Sequence, residues 1–405
     1  MAQRDEVYYN SIGVYVGPVW QGVFQSTGFH LVTGFTQGTT GNFTGTNSAG
    51  AFNLLNPLDR LQNLSTSYDL PKREMVQLGQ MAAFAREIVD PPNIKASFNY
   101  YLTNGVNEYR LGLPIAGNIP MLSGILNNTS ADFNLFQQIS AEGVDAQGDI
   151  NTIAQFVECL GNCYINNIGF KAAVGGVGEG SISLEGSNYV VYSGGGLNYI
   201  PSIDPELGVI NQTWEFKLPE PYTGQDTLSN QPTVLKYGDI TLNLTQATNI
   251  PGALINDGGG YAGCHLQSFD ISIPTNLEAI NELGTKYPYA RRPRPPINAK
   301  IRVSAIVADM QTGNLANYIS QCSNNEFNLW INMYACSGTT RANVLNYQFN
   351  GVSVDSQSFS VAVGNKKTLD LEMTCPIGSA TDTQHQGYIS GSHIISQYNG
   401  GPYYY

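Results

Sequence analysis

The chain has 405 residues and a formal net charge of −12, with 19 Lys+Arg against 31 Asp+Glu. Tight nucleic-acid binding needs basic groups that displace counterions from phosphate, so this balance excludes it as the main activity. Six cysteines are too few for a disulfide scaffold at this length, and no apolar run approaches a membrane span.

Charged residues make up only 12% of the chain, while Gly (44) and Tyr (24) are abundant. That is a β-rich, polar but uncharged composition, suited to lasting protein–protein contact. The length is a prior for two or three domains. The start MAQRDEVYYN has no apolar leader, so the chain is expected to stay in the cytosol until released by lysis. The sequons at Asn42, Asn63 and Asn243 then carry no weight.

In chain order, Val23–Val32 suits a strand, and Thr33–Asn53 is too glycine-rich for a regular element. Phe35, Phe43 and Phe52 recur in that loop, where apolar rings fold back or dock on a neighbour. Leu61–Lys95 follows, and it is written again as Leu266–Lys300, at an ungapped offset of 205, with ten identities. These include Leu78-Gly79 with Leu283-Gly284 and Ala85-Arg86 with Ala290-Arg291. Such positions fix backbone shape, so one domain is written twice. The expected boundaries are 1–196 and 233–405, with a Pro-rich linker at 197–232 that holds an edge strand in QTWEFKL.

Within the first copy, Leu64–Leu70 and Ile94–Leu102 suit strands, and Ile115–Asn128 is Gly/Pro/Asn-rich. SADFNLFQQISAEG suits a helix capped by Ser130 and stopped at Gly143. Ile153–Leu160 has helical spacing too. The expected counterpart near Cys336, NEFNLWINMYAC, alternates like a strand, which overrules that helix. Gly313–Cys322 has helical spacing, so both halves are expected to run helix then strand. Matching Cys159 to Cys336 places about 28 extra residues in the first copy, most simply in Leu111–Asn128. Each copy ends in a β-hairpin, around GGVGEG (Gly175–Gly180) in the first and around Gly364 in the second. A Tyr-rich tail closes the chain.

No catalytic, cofactor-binding or metal signature stands out. GGVGEG is followed by a strand, where dinucleotide binding needs a helix, so it reads as a hairpin turn. Cys159 and Cys163 lack a partner pair for zinc, and the four histidines are scattered. Glu179 and Glu185 share a strand face about 20 Å apart, against the roughly 5 Å of retaining glycosidases. Asp370 and Glu372 alternate with Leu369, Leu371 and Met373 as a solvent-facing row does. The one basic cluster holds Arg291, Arg292 and Arg294. Arg291 aligns with Arg86, where REIVDPP supplies acid through Asp90. Complementary charge at equivalent positions suits lobes that meet their neighbours, so these residues join the three phenylalanines as candidate subunit contacts, a solvated turn being the other reading of the cluster.

CYINNIGFKAAVGGVGEGSISLEGSNYVV, with LGQMAAFAREIVDPPNIKASFNYYL and NEYRLGL, resembles the tail tube proteins of long-tailed bacteriophages. Tyr287–Ala308 and Val344–Thr374 resemble them less sharply. The resemblance implies a mainly β chain of two tandem β-sandwich or barrel tube domains, each with a short flanking helix. It implies a non-enzymatic virion protein, assembled in the host cytoplasm, that binds copies of itself. Three tandem chains would give six lobes, closing a ring that stacks into a tube. Tape-measure, terminator and baseplate proteins are the implied partners, and genomic DNA passes through without specific binding. Other expectations are a neck or tail-terminator protein on the same fold, and a carbohydrate-binding adhesin suited to the Tyr and Trp content.

Overall fold

The computed structural model describes residues 9–18, 56–88, 90–126, 132–140, 146, 156–193, 199, 201–204, 209–210, 234–244, 264–288, 290–307, 326–337 and 340–392. The strand expected at Val23–Val32, the loop with Phe35, Phe43 and Phe52, the helix expected at Gly313–Cys322 and the edge strand in QTWEFKL lie outside them.

The chain is mainly β, organised in a large antiparallel sheet. A 3-10 turn (Tyr9–Ser11) leads into β1 (Ile12–Pro18) and the short β2 (Asn56–Pro57). The first repeat supplies β3 (Leu61–Asp69), the small hairpin β4 (Lys72–Met75) and β5 (Ala85–Ile88), and β6 (Asn93–Tyr101). Then come α1 (Val106–Arg110), β7 (Ala116–Pro120), α2 (Ser123–Leu126) and β8 (Phe133–Ile139). The long β9 (Phe156–Ala173), β10 (Glu179–Gly186) and β11 (Asn188–Ser193) follow, then the small β12 (Ile203–Asp204) and β13 (Val209–Ile210).

The second half opens on a 3-10 turn (Tyr237–Asp239) and β14 (Ile240–Leu244). Its repeat supplies β15 (Cys264–Pro274), the hairpin β16 (Leu277–Ile280) and β17 (Ala290–Pro293), and β18 (Ile297–Val307). β19 (Phe327–Ser337), the long β20 (Thr340–Ser360), β21 (Thr368–Ile377) and β22 (Gln386–Gly391) complete it.

Period-two alternation makes these strands and gives the sheet its two faces. In β6, Ile94, Ala96, Phe98 and Tyr100 are buried; in β18, Ala299, Ile301, Val303 and Ala305; in β21, Leu369, Leu371, Met373 and Cys375. The residues between them are small and polar or charged, and turn the other way. The buried faces join in one large core cluster that spans both halves. The ladder runs β3–β6–β10–β9–β15–β18–β21–β20, so β9 of the first half pairs directly with β15 of the second.

The pairing pattern of the first half recurs in the second. β3 and β6 pair Ser67 with Lys95; β15 and β18 pair Ser272 with Lys300. Both ladders slip at the same place, Leu61/Asn63 and Leu266/Ser268. At those bulges Gln62 Nε2 donates to the Arg60 and Leu61 carbonyls, and Gln267 Nε2 to those of His265 and Leu266. β9 and β10 slip at Ser183/Leu184, and β20 and β21 slip opposite Glu372 and Met373. The hairpin turns match as well: Gly175 and Gly364 both take φ 86°, a conformation side chains resist.

This register corrects the expected alignment. β19 pairs with β20 as β8 pairs with β9, so NEFNLWINMYAC corresponds to FNLFQQI and not to the strand holding Cys159. Cys159 corresponds to Gln348. The helix expected over Ser130–Gly143 is therefore the strand β8. Its apolar residues fall at helical spacing because β8 lies between β1 and β9 with nearly every side chain buried, which removes the alternation that marks a strand. The helices described, α1 and α2, stand elsewhere, before β8. The surplus of the first half is also divided, with part of it between β6 and β8 and part between β8 and β9.

Beside the β9–β15 ladder, the halves meet where β7 pairs with β22 and where Phe170 stacks on Tyr347 with ring centroids 4.2 Å apart. Glu108 lies at that junction, fully buried on α1. The hydroxyls of Tyr100 (2.9 Å) and Tyr347 (3.3 Å), one from each half, donate to its Oε1. Burial pushes the Glu108 carboxyl above the usual carboxylate range and both phenols well above theirs. The folded chain thus holds this proton more tightly than the unfolded chain. That stability is complete in acid and declines as pH rises from the ordinary carboxylate range through the raised value. Glu108→Gln keeps an acceptor for both hydroxyls and should flatten this part of the stability–pH curve. Glu108→Leu strands both hydroxyls and should cost about 2–4 kcal/mol in urea unfolding.

Candidate subunit interface

The seam between β9 and β15 shows what this sheet needs on its flank. Ser268 pairs with Ala173, Asp270 with Lys171, Ile271 with Phe170, Ser272 with Gly169 and Pro274 with Asn167. One face is apolar: Phe269, Ile271 and Ile273 cover Ala172, Phe170 and Ile168, all buried. The ladder is extended at both ends, by Val174 N to the Gln267 carbonyl (2.8 Å) and by Thr275 N to the Asn166 carbonyl (3.0 Å).

A charged cluster closes the seam at the Asn166 end. Glu185 of β10 accepts from Asn166 Nδ2 at 3.1 Å and pairs with Arg291 of β17 at 3.2 Å. The Arg291 guanidinium lies 4.9 Å over the Tyr164 ring, and Tyr164 and Asn162 both donate to the buried Asp132. Burial raises the Asp132 carboxyl, against the pull of these donors.

The equivalent flanks elsewhere are open. Among the described residues, β3 pairs only with β6, and the C-terminal part of β20 only with β21. Positions that the seam buries are bare here. Phe170 is 1% exposed and its counterpart Phe359 37%; Ala172 is 8% exposed and its counterpart Val361 70%. Opposite, buried Ile273 corresponds to Tyr68, at 62%. A strand edge with no described neighbour, beside exposed apolar side chains, invites another strand.

The polar face of the same sheet carries a row of alternating charge. Glu179, Lys171, Asp270, Arg302 and Glu372 follow one another across five paired strands, with ion pairs Lys171–Glu179 at 3.0 Å and Arg302–Glu372 at 3.1 Å. Opposite signs on neighbouring strands compensate one another on this face, although the chain as a whole is acidic.

The residues expected at contacts are scattered over the fold. Arg291 is engaged within the chain, at the seam. Arg86, on β5, is exposed and pairs with Glu74 of the same hairpin at 3.4 Å. Asp90 and Arg292 are exposed, and Arg294 reaches Glu278 at 4.0 Å on the surface. The part that Glu185 and Tyr164 play in the Arg291 site escaped sequence reasoning because Arg291 lies 106 residues beyond the first and 127 beyond the second (291 − 164). Asp370 and Glu372 do form an exposed row, and Glu179 and Glu185 share the polar face of β10. Cys159, Cys163 and Cys375 are buried free thiols; burial pushes the last two up to about 12. Among the described residues no cluster of His, Cys, Asp and Glu could hold a metal ion, and no helix is long and apolar enough to cross a membrane.

A scan against protein-family models finds no match, and no curated protein matches the sequence.

The seam cluster can be tested by itself. Arg291→Met leaves Glu185 half-buried with Asn166 alone and should lower stability by about 1–3 kcal/mol. A double-mutant cycle with Glu185→Gln, read by urea denaturation, should return a coupling energy of about 1 kcal/mol between the two residues.

Proposed function

We propose that this chain is a structural virion protein, a tail tube subunit made of two tandem copies of one β-sandwich unit, acting without catalysis. One observation carries the reading: the two repeated sets of strands are joined edge to edge by β9 and β15, while among the described residues the equivalent edges at β3 and β20 have no neighbouring strand. Repeating the same step between molecules adds units head to tail, and a heterologous contact of this kind closes a ring when its rotation allows. The resemblance to tail tube proteins sets six units per ring, hence three chains.

Other features suit that role. The sheet face away from the core carries small polar side chains such as Ser97, Ser181, Ser183, Ser272 and Ser304, with Tyr101 and Ile306 toward its ends. Facing a lumen, its alternating charges would leave passing DNA neither held nor strongly repelled. The β4–β5 hairpin exposes Val76, Leu78, Met81 and Phe84, and the β16–β17 hairpin exposes Leu283. Apolar tips on projecting hairpins suit contact between stacked rings.

Negative-stain microscopy of the purified full chain tests this reading. Tubes with a lumen, or stacked rings with threefold symmetry, are the expected result. Single unstacked rings would move the chain to a neck or terminator role. A monomer that persists in sedimentation at high concentration would overturn the reading.

A further inference from the structure

The seam inside the chain specifies the seam between chains. We propose that the β3 edge of one molecule pairs with the β20 edge of the next in the register of β15 on β9, with Arg86 of the first paired to Asp355 of the second. This rests on the ring reading above and gives it residues.

The register follows from the bulges and turns the two halves share. β15 residues Ser268 to Pro274 correspond to β3 residues Asn63 to Asp69, fixed by the common slips at Leu61/Asn63 and Leu266/Ser268. β9 residues Ala173 to Asn167 correspond to Ala362 to Ser356, fixed by the common slip in the β9–β10 and β20–β21 hairpins. The sequences agree there: Phe170, Ala173, Val174 and Gly175 meet Phe359, Ala362, Val363 and Gly364. The pairing therefore sets Leu64 opposite Val361, Ser65 opposite Ser360, Thr66 opposite Phe359 and Ser67 opposite Ser358. Val361 then meets Leu64, and Phe359 and Tyr68 lie on the same face opposite Thr66 and Gln357, where the internal seam buries its apolar side chains. The ladder ends would be closed by Val363 N to the Gln62 carbonyl and Leu70 N to the Asp355 carbonyl.

Charge supports the same seam independently of the apolar match. In the chain, Arg291 meets the carboxylate of Glu185, which Asn166 supports. The counterpart of Arg291 is Arg86. The counterparts of Glu185 and Asn166 are Thr374 and Asp355, so the acid and its neutral partner have changed places across the same two strands. Thr374 Oγ1 donates to Asp355 Oδ2, as Asn166 donates to Glu185. The basic group thus finds one carboxylate at either seam. Asp355 is exposed, and among the described residues Arg86 pairs with the exposed Glu74. An exchange that preserves the pair, at a position where no described residue of the same chain supplies the matching partner, points to a second copy of this chain as the occupant.

Cysteine pairing in the full chain tests the register, and charge swapping tests the ion pair. Ser67→Cys and Ser358→Cys in one chain should yield disulfide-linked multimers up to a closed trimer on non-reducing gels. Moving the second cysteine one place, to Phe359, should not, because adjacent strand residues face opposite ways. Arg86→Asp should raise the concentration needed for assembly at least about tenfold, as should Asp355→Arg, and the double variant should recover most of the loss. If the wild-type chain assembles yet Ser67 and Ser358 fail to cross-link, or the double swap restores nothing, this seam is wrong and the ring reading stands. If the wild-type chain never assembles, both are wrong.

Discussion

A sheet edge is a row of backbone donors and acceptors with nothing to bond, and this molecule is built around how that demand is met. In one place the polypeptide meets it, by laying β15 along β9 and burying Phe269, Ile271 and Ile273 against Phe170 and Ile168. The continuous ladder, the shared core and the Arg291–Glu185 pair all follow from that one apposition. At β3 and at the C-terminal part of β20, the described residues supply no such neighbour, and Tyr68, Phe359 and Val361 are exposed.

The join between the halves is more than one ladder. β7, from the segment between β6 and β8, pairs with β22 of the second half, and α1 of that segment buries Glu108 between tyrosines of both. A buried carboxyl is costly unless its hydrogen bonds are made, and here each half supplies one donor. The two halves are thereby fixed by groups that neither could satisfy alone. Tyr199 and Ile203 are drawn in too: Tyr199 is buried beside Phe136 and Cys159, and Asn162 Oδ1 accepts from Ile203 N. The start of the Pro-rich stretch is thus packed against the first half.

Much of this was legible in the sequence, and what failed did so for identifiable reasons. The offset between Leu61 and Leu266 was found from shape-setting residues, and it returned the limits of β4 and β16 and of β5 and β17. The alternation in Asp370–Met373 gave both faces of β21. Beyond Lys95 the offset changes from strand to strand as loop lengths differ, so an ungapped comparison loses the second half. Phe133-Asn134-Leu135 and Phe327-Asn328-Leu329 were there to be matched, as were Phe170 to Gly175 and Phe359 to Gly364. Matching Cys159 to Cys336 fails because the shared cysteine is a coincidence of composition: by register Cys159 corresponds to Gln348. The seam itself was out of reach, since the cross-strand partners Asn167 and Pro274 are joined by geometry alone.

The shared bulges carry a consequence for shape. An extra residue on one strand bends a sheet and increases its twist locally, and here the slips stand at corresponding places in both halves, on β3 and β15 and again in the β9 and β20 hairpins. Kinks at corresponding places bend both halves in the same sense. Equal steps repeated from one molecule to the next close on themselves when the rotation divides the circle without a rise, and otherwise wind into an open helix.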